Sequence, residues 1–428
     1  MPKPTLKPGP FRRITGVLRQ PAYGTYTAGN ALSLIGTWMQ RIAVGWLAWE
    51  LTGSAAWLGA VAFADLFPTV LVAPLAGAAA DRWNRRRILR ATVLVNLCQA
   101  LVLCVLAVAG RLDIWALLAA TLVAGIATGI GQPARLALVA SLVERGDLPI
   151  AVAINSIVFN VARFIGPALA GALIGAGGAA LAFAGNALSF AAFLAALSRL
   201  HIGEQGRGRG EPTSGLGREL TAGLRYAVSH PGIGPLLALL VITNVFGRPF
   251  VELLPGFAAQ VFAAGPQGLA LMTSAIGLGA IVAGTWLAGR DGTRGLVTIT
   301  VASTLLLALT IALFVATDRL VLALPVLAVS GMVMVGAGVG THTLLQLAVA
   351  PAMRGRVLGL YGLIFRGGPA LGALAMGPIA DRLGLAWPVA AGAVVLAVAA
   401  AALMTRRRRL SGHLLSLEAR AAGARDEG

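Results

Sequence analysis

The chain has 428 residues, of which 57% are hydrophobic and only 12% charged. A soluble domain carries about 25% charged residues, so this composition cannot cover a water-exposed surface, and much of the chain must face lipid. The formal net charge of +18 can be a nucleic-acid signature, but here the basic residues fall in short groups between apolar runs and form no continuous face, which argues against that partner. Only two lysines occur, Lys3 and Lys7, both in the N-terminal tail, so no GxxxxGK[ST] phosphate loop can be assembled. Cys98 and Cys104 share one apolar run and the four histidines are scattered. Neither a disulfide framework nor a metal site is expected, and no cofactor is implied.

In chain order, residues 1–21 read as a basic, proline-rich tail without an apolar core, so no cleavable signal peptide is expected. A membrane span needs about 20 apolar residues. Twelve stretches qualify: 22–48, 55–80, 88–110, 114–138, 150–175, 178–198, 233–259, 266–289, 296–316, 320–346, 357–380 and 385–404. They divide six and six around the polar segment 199–232, which contains GEQGRGRGEPTSGLG and reads as a flexible linker. Within it Leu216, Leu220, Leu224 and Val228 recur at helical spacing beside Arg218, Glu219 and Arg225, the pattern of a short interfacial helix. The expected organisation is therefore a tail, a bundle over 22–198, the linker 199–232, a bundle over 233–404, and a second tail over 405–428. With the N-terminus inside, only Arg111, Arg319 and Arg382 fall outside and four arginines fall within spans; the rest of the 34 basic residues lie inside. That asymmetry places both termini in the cytoplasm, and an even number of spans follows.

The halves echo one another. RFIGPALAGAL (163–173) in span five corresponds to FRGGPALGAL (365–374) in span eleven, and Asn30 in span one corresponds to Asn244 in span seven. Parallel six-span repeats mark transporters whose substrate site lies near the midplane, between the halves. Charges inside the spans point to the same place. Arg41, Arg163, Arg248 and Arg366 sit in spans one, five, seven and eleven, which are repeat mates, and each is costly in lipid unless paired or hydrated. Against them stand two acids, Asp65 and Glu252. Arg41 and Asp65 lie at similar depth on adjacent spans, placed to pair. Arg248 and Glu252 are i,i+4 neighbours in the less favourable order, and Pro249 and Pro255 should break the helix around them. A net-positive cavity lined by these arginines, with Asn30 and Asn244, favours an anionic or electron-rich substrate. Coupling to protons needs a group whose protonation competes with substrate or switches conformation; Asp65 and Glu252 are the candidates, and His342 is a third.

The stretch LAGAAADRWNRRRIL (75–89) falls in the loop between spans two and three. Its Gly77-x-x-x-Asp81-Arg82-x-Asn84-Arg85-Arg86 resembles the corresponding loop motif of the major facilitator superfamily. The regions 132–173 and 354–384 resemble the branch that holds the enterobactin exporter and the macrolide-efflux proteins. The resemblance covers nearly the whole chain. It implies an all-α membrane protein of twelve transmembrane helices in two six-helix pseudo-repeats, with the arginine-bearing spans helping to line a central cavity. It also implies a gate at Gly77, Asp81, Arg82, Arg85 and Arg86, with Asp81 reaching the N-terminus of span eleven near Arg356. Asn84 stands where the family has glycine; a left-handed backbone is expected there, which asparagine tolerates. GPALAG (166–171) is similar to the antiporter motif of span five, with a helix bend at Gly166 and Pro167 and its mate at Gly368 and Pro369, although Ala162 stands where a further glycine is usual. A second GPIADRLG (377–384) falls outside, where the family does not use it for gating, and reads as a helix end and turn.

Together these features describe a secondary active transporter, a proton-coupled exporter of a small amphipathic, anionic compound such as a siderophore or drug. It would work as a monomer in a bacterial inner membrane, by alternating access. An importer or facilitator of the same fold, or a membrane sensor without flux, are the alternatives. No nucleophile–base set or HExxH is present, so an enzyme is not expected.

Overall fold

The computed structural model describes residues 10–200, 216–289, 295–407, 410 and 412–413; the side chains of residues 10–12, Pro74, Ala78, Asp81, 216–220 and Ala288 lie outside that description. In hydrocarbon the backbone has no water to bond, so a chain of this composition must satisfy its peptide groups within helices. The short α1 (Pro10–Leu18) leads into α2 (Pro21–Thr52), α3 (Ala55–Arg82), α4 (Arg85–Val108), α5 (Ile114–Leu142), α6 (Leu148–Gly177) and α7 (Ala179–Arg199). After the linker, α8 (Leu216–Ser229) precedes a broken rod. That rod begins as α9 (Ile233–Ile242), passes through a π-turn at Thr243–Gly247 and a 3-10 turn at Arg248–Leu253, and continues through α10 (Leu254–Gly256) into a second π-turn at Phe257–Val261. Then come α11 (Gly265–Ala288), α12 (Leu296–Val315), α13 (Leu320–Ala348), α14 (Pro351–Leu383) and α15 (Ala386–Thr405).

Among the described residues, eleven rods are long and apolar enough to cross a bilayer, the broken one included. The 32-residue α2 equals them in length but carries Arg41 and Glu50. The irregular backbone sits where Pro249 and Pro255 were expected to break the helix; proline removes a hydrogen bond and crowds the preceding turn. Asn84 corrects one expectation. Its backbone is extended, with φ −64° and ψ 112°, and its side chain accepts the Arg87 N–H as the N-cap of α4. Asparagine serves there as a cap because its side-chain oxygen can accept a first-turn N–H.

Close helix packing rests on small residues. A Cβ on Gly279 of α11 would run into the Ala328 carbonyl of α13, and one on Gly331 of α13 into the Ile276 carbonyl of α11. The two helices thus touch backbone to backbone at reciprocal glycines. Gly279→Val is expected to destabilise the protein by about 1–3 kcal/mol through overpacking, read as a lower melting midpoint in detergent with reduced yield. Gly166 and Gly368 obey the same rule: their Cβ atoms would meet Trp38 and Ile35 of α2, and Asn244 of the broken rod, respectively. Pro167 and Pro369 lie inside continuous α-helices, and the glycines beside them supply close approach.

Successive rods alternate in direction, so the start of α2 and the end of α15 lie at one end of the bundle, the terminal end. The helices α2–α7 and those from α9 to α15 meet at the opposite, far end. There a Cβ on Gly59 would meet Ala373, one on Gly377 would meet Ala55 and Ala56, and one on Gly256 would meet Trp49 and Leu385. Towards the terminal end, Cβ atoms on Gly77 of α3, Gly284 of α11, and Gly355, Gly359 and Gly362 of α14 would find open space. The two groups of helices therefore meet backbone to backbone at the far end. At the terminal end α8 packs on α14, with Gly223 against Arg356 and the Tyr226 hydroxyl accepting the Ala350 N–H at 3.4 Å. Leu224 and Val228 of α8 stay exposed, as an interfacial helix requires.

Candidate functional site

The charged residues of the spans gather at mid-depth. Arg41 stands eleven positions before the end of α2, about 16 Å from the far end at 1.5 Å per residue. Its Nη2 donates to Glu252 Oε1 at 2.8 Å, and its Nε lies 3.6 Å from Asp65 Oδ2. Glu252 belongs to the broken rod, so the stronger of these bonds crosses between the two helix groups. The local Arg248–Glu252 pairing offered by sequence spacing is not formed. The π-turn and the 3-10 turn rotate Glu252 away from its i−4 neighbour, and Arg248 instead donates from Nη1 to Asn244 Oδ1 at 3.0 Å. Side-chain exposures of 31% for Arg41, 35% for Asp65 and 17% for Glu252 leave the triad within reach of water.

Aromatic rings carry the remaining guanidinium groups. The Cζ atoms of Arg41 and Arg163 lie 5.5 and 5.6 Å from the Trp38 ring centroid, within cation–π range. Trp38 in turn meets Phe159 edge to face. Arg248 lies 4.4 Å over Phe365, which stacks on Tyr361, and Tyr361 meets His342. A ladder of rings therefore links Arg248 to His342. Arg163 lies within electrostatic reach of Arg41, Arg248 and Glu252, so three of the four expected arginines converge. Arg366 is exposed on the face of α14 between Phe365 and Gly367, and Gly367 approaches Val70 of α3; it stands apart from the other three.

Both acids are committed to Arg41. Among the described residues, no carboxylate pairs with Arg163, Arg248 or Arg366. Asn30 and Asn244 are each 1% exposed and act behind the surface. Asn30 Oδ1 accepts from Arg135 Nη1 at 2.8 Å, as Asn244 accepts from Arg248. Each asparagine thus accepts from an arginine, Arg135 from α5 in one half and Arg248 from the asparagine's own rod in the other. Arg135, which also lies over Phe193, was outside the expected site, as were Trp38 and Phe365; the signal available for Trp38 was its place three residues before Arg41, one helical turn away. Of the gate residues, Gly77 ends in open space, and Arg86 donates to the Leu197 and Ser198 carbonyls at 2.9 and 2.7 Å. Arg85 reaches the Ala80 carbonyl at 3.4 Å and Arg82 is exposed; the Asp81 side chain lies outside the described residues. A groove of about 390 Å³ between the broken rod and α15, lined by Pro231, Pro235, Leu403 and Arg406, opens at the terminal end away from the arginines and takes no part in this site.

Two helix groups that meet at one end, with charged residues held between them at mid-depth, define a membrane transporter. The model of the transmembrane secretion effector family matches residues 15–420, and the chain belongs to that family of the major facilitator superfamily. It is 28% identical to the multidrug efflux pump Tap of Mycolicibacterium fortuitum, over 84% of this chain and 88% of the relative. It is 22% identical to macrolide efflux protein A of Streptococcus pyogenes, over 88% of this chain and 93% of that one. Similarity to the staphyloferrin A transporter of Staphylococcus aureus is 29% over 40% of this chain, and spans only 43% of that relative. Among solved structures, a peptide transporter superposes with a TM-score of 0.74 at 12% identity, over 91% of this chain and 95% of the other. A bacterial homologue of the lysosomal transporter Spinster, in an inward-facing conformation, superposes with a TM-score of 0.64 at 17% identity, over 92% and 97%. These likenesses show the fold. The protein is a multi-pass membrane transporter of small molecules and not an enzyme.

Proposed function

We propose that this chain is a proton-coupled exporter of a small amphipathic anion, such as a siderophore or an anionic drug. It works as a monomer, with both termini cytoplasmic, in the inner membrane of a bacterium. The bundles 22–198 and 233–404 rock about the mid-depth arginines, and Asp81 holds the terminal end when that end is shut. The observation that carries this reading is the commitment of both intramembrane acids to Arg41, which leaves Arg163 and Arg248 as cations held only by rings and an amide. Such groups, partly dry and oriented, attract an anion more strongly than hydrated ones. Siderophore transport and drug efflux, the activities named for the relatives, agree with movement of a small amphipathic compound.

The test is flux in proteoliposomes under an imposed pH gradient, with a panel of anionic and cationic amphiphiles. Uphill movement of the anionic members, abolished by a protonophore, is expected. Preference for cations would overturn the substrate class, and equilibrative flux indifferent to pH would make the protein a facilitator.

A further inference from the structure

The stretch GPIADRLG (377–384) ends α14 as a helix end and turn, with Gly384 at φ +90°. It also does something that reading leaves out. Asp381 reaches from the second helix group onto the first turn of α3. Its Oδ1 accepts the Ala55 N–H at 2.6 Å, and its Oδ2 accepts the Ser54 hydroxyl at 2.6 Å and the Ala56 N–H at 3.2 Å. Ser54 is the N-cap residue of α3, yet its own side chain caps nothing in the helix. The first N–H groups of a helix need an acceptor, and a carboxylate at that positive end is favoured. Here the acceptor comes from a residue 326 positions away from Ala55.

The sequence of α3 ends in the same pattern. Gly77-Ala-Ala-Ala-Asp81-Arg82 ends α3, and Gly377-Pro-Ile-Ala-Asp381-Arg382 ends α14. The two helices are antiparallel neighbours, so each Gly-x-x-Ala-Asp-Arg falls at the end of the bundle where the other helix begins. At the far end the elements are engaged, because a Cβ on Gly377 would strike Ala55 and Ala56. At the terminal end Gly77 faces open space.

We propose that Asp381 is the far-end latch of the transport cycle, closing that end by capping α3 from the opposite helix group. Ser54 makes the latch reversible. When Asp381 withdraws, the Ser54 hydroxyl is free to turn back and cap its own helix, since serine is among the best N-cap residues. The open state then leaves fewer amides unsatisfied, and the two states stay close in free energy. This inference rests on the alternating-access reading above, but not on any substrate.

The experiment replaces Cys98 and Cys104 by serine and places spin labels at Leu51→Cys and Val321→Cys. These far-end positions are 42% and 79% exposed and lie on opposite helix groups. Distances are measured in lipid nanodiscs. Asp381→Asn and Asp381→Ala should raise the population with a widened far end roughly tenfold, the scale of losing one good cap, with the alanine variant shifting more. Arg382→Ala, adjacent and without a described contact, should not move it. Distance distributions of both Asp381 variants that superpose on the parent, in monodisperse protein, would overturn the latch. A widened far end in the variants with no flux of any probe, even in the parent protein, would instead retire the transporter cycle and leave the cap intact.

Discussion

Arg163→Ala is expected to reduce the transport efficiency for an anionic substrate about ten- to a hundredfold while leaving the protein folded. A hydrogen bond to a charged group contributes about 1.5–3 kcal/mol, and each 1.4 kcal/mol is a factor of ten. Arg163 is the group to choose because its described contact is the Trp38 ring, so its removal strands no carboxylate. Arg163→Lys separates charge from shape. Lysine keeps the cation but loses the planar fork and its stacking on the indole, so an intermediate loss is expected. Initial rates across a concentration series in proteoliposomes read both variants. Equal rates for Arg163→Ala and the parent would remove Arg163 from the substrate path.

The second large effect is expected at Glu252. Its bond to Arg41 crosses between the helix groups at 2.8 Å, whereas Asp65 shares the first group with Arg41 and sits at 3.6 Å. A proton on Glu252 breaks the bridge between the halves and leaves Arg41 with Asp65 as its remaining partner. A proton on Asp65 leaves that bridge standing. Glu252→Gln should therefore lose accumulation driven by a pH gradient by roughly tenfold or more, a free-energy change of about 1.4 kcal/mol at the least, yet retain downhill exchange. Asp65→Asn should keep more of the coupling. Gradient-driven uptake compared with counterflow in the same vesicles separates the two variants. If Asp65→Asn uncouples and Glu252→Gln does not, the proton acts on the bond inside one half, and the bridge between the halves is structural.

Much of the fold could be read from hydropathy alone. In lipid an apolar run must become a helix, so span positions follow from composition with little competition from other structures. The proline-broken rod was equally legible, because the loss of a donor at Pro249 and Pro255 is a local property. The arginines were visible as costly groups in repeat-related spans. Their partners were not. Sequence spacing offered Glu252 to Arg248, four residues away, but the turns at Thr243–Leu253 turned it towards Arg41, 211 positions distant. Asn30 and Asn244 looked like cavity residues and are instead buried braces for arginine. Asn84 looked like a left-handed turn and is a cap, because glycine and asparagine substitute for one another in both settings and only φ separates them.

By itself the sequence determined that this protein lives in a bilayer as two sets of apolar helices, with cations set at matching depths. Those properties depend only on which side chains tolerate hydrocarbon and on the helical rise per residue. The tertiary structure alone decided which acid neutralises which arginine, at which end the halves meet, and that Asp381 caps a helix in the other half. Such contacts turn on ångström-scale rotation and tilt of packed rods, set where glycine lets backbones touch, and no local period in the chain encodes them.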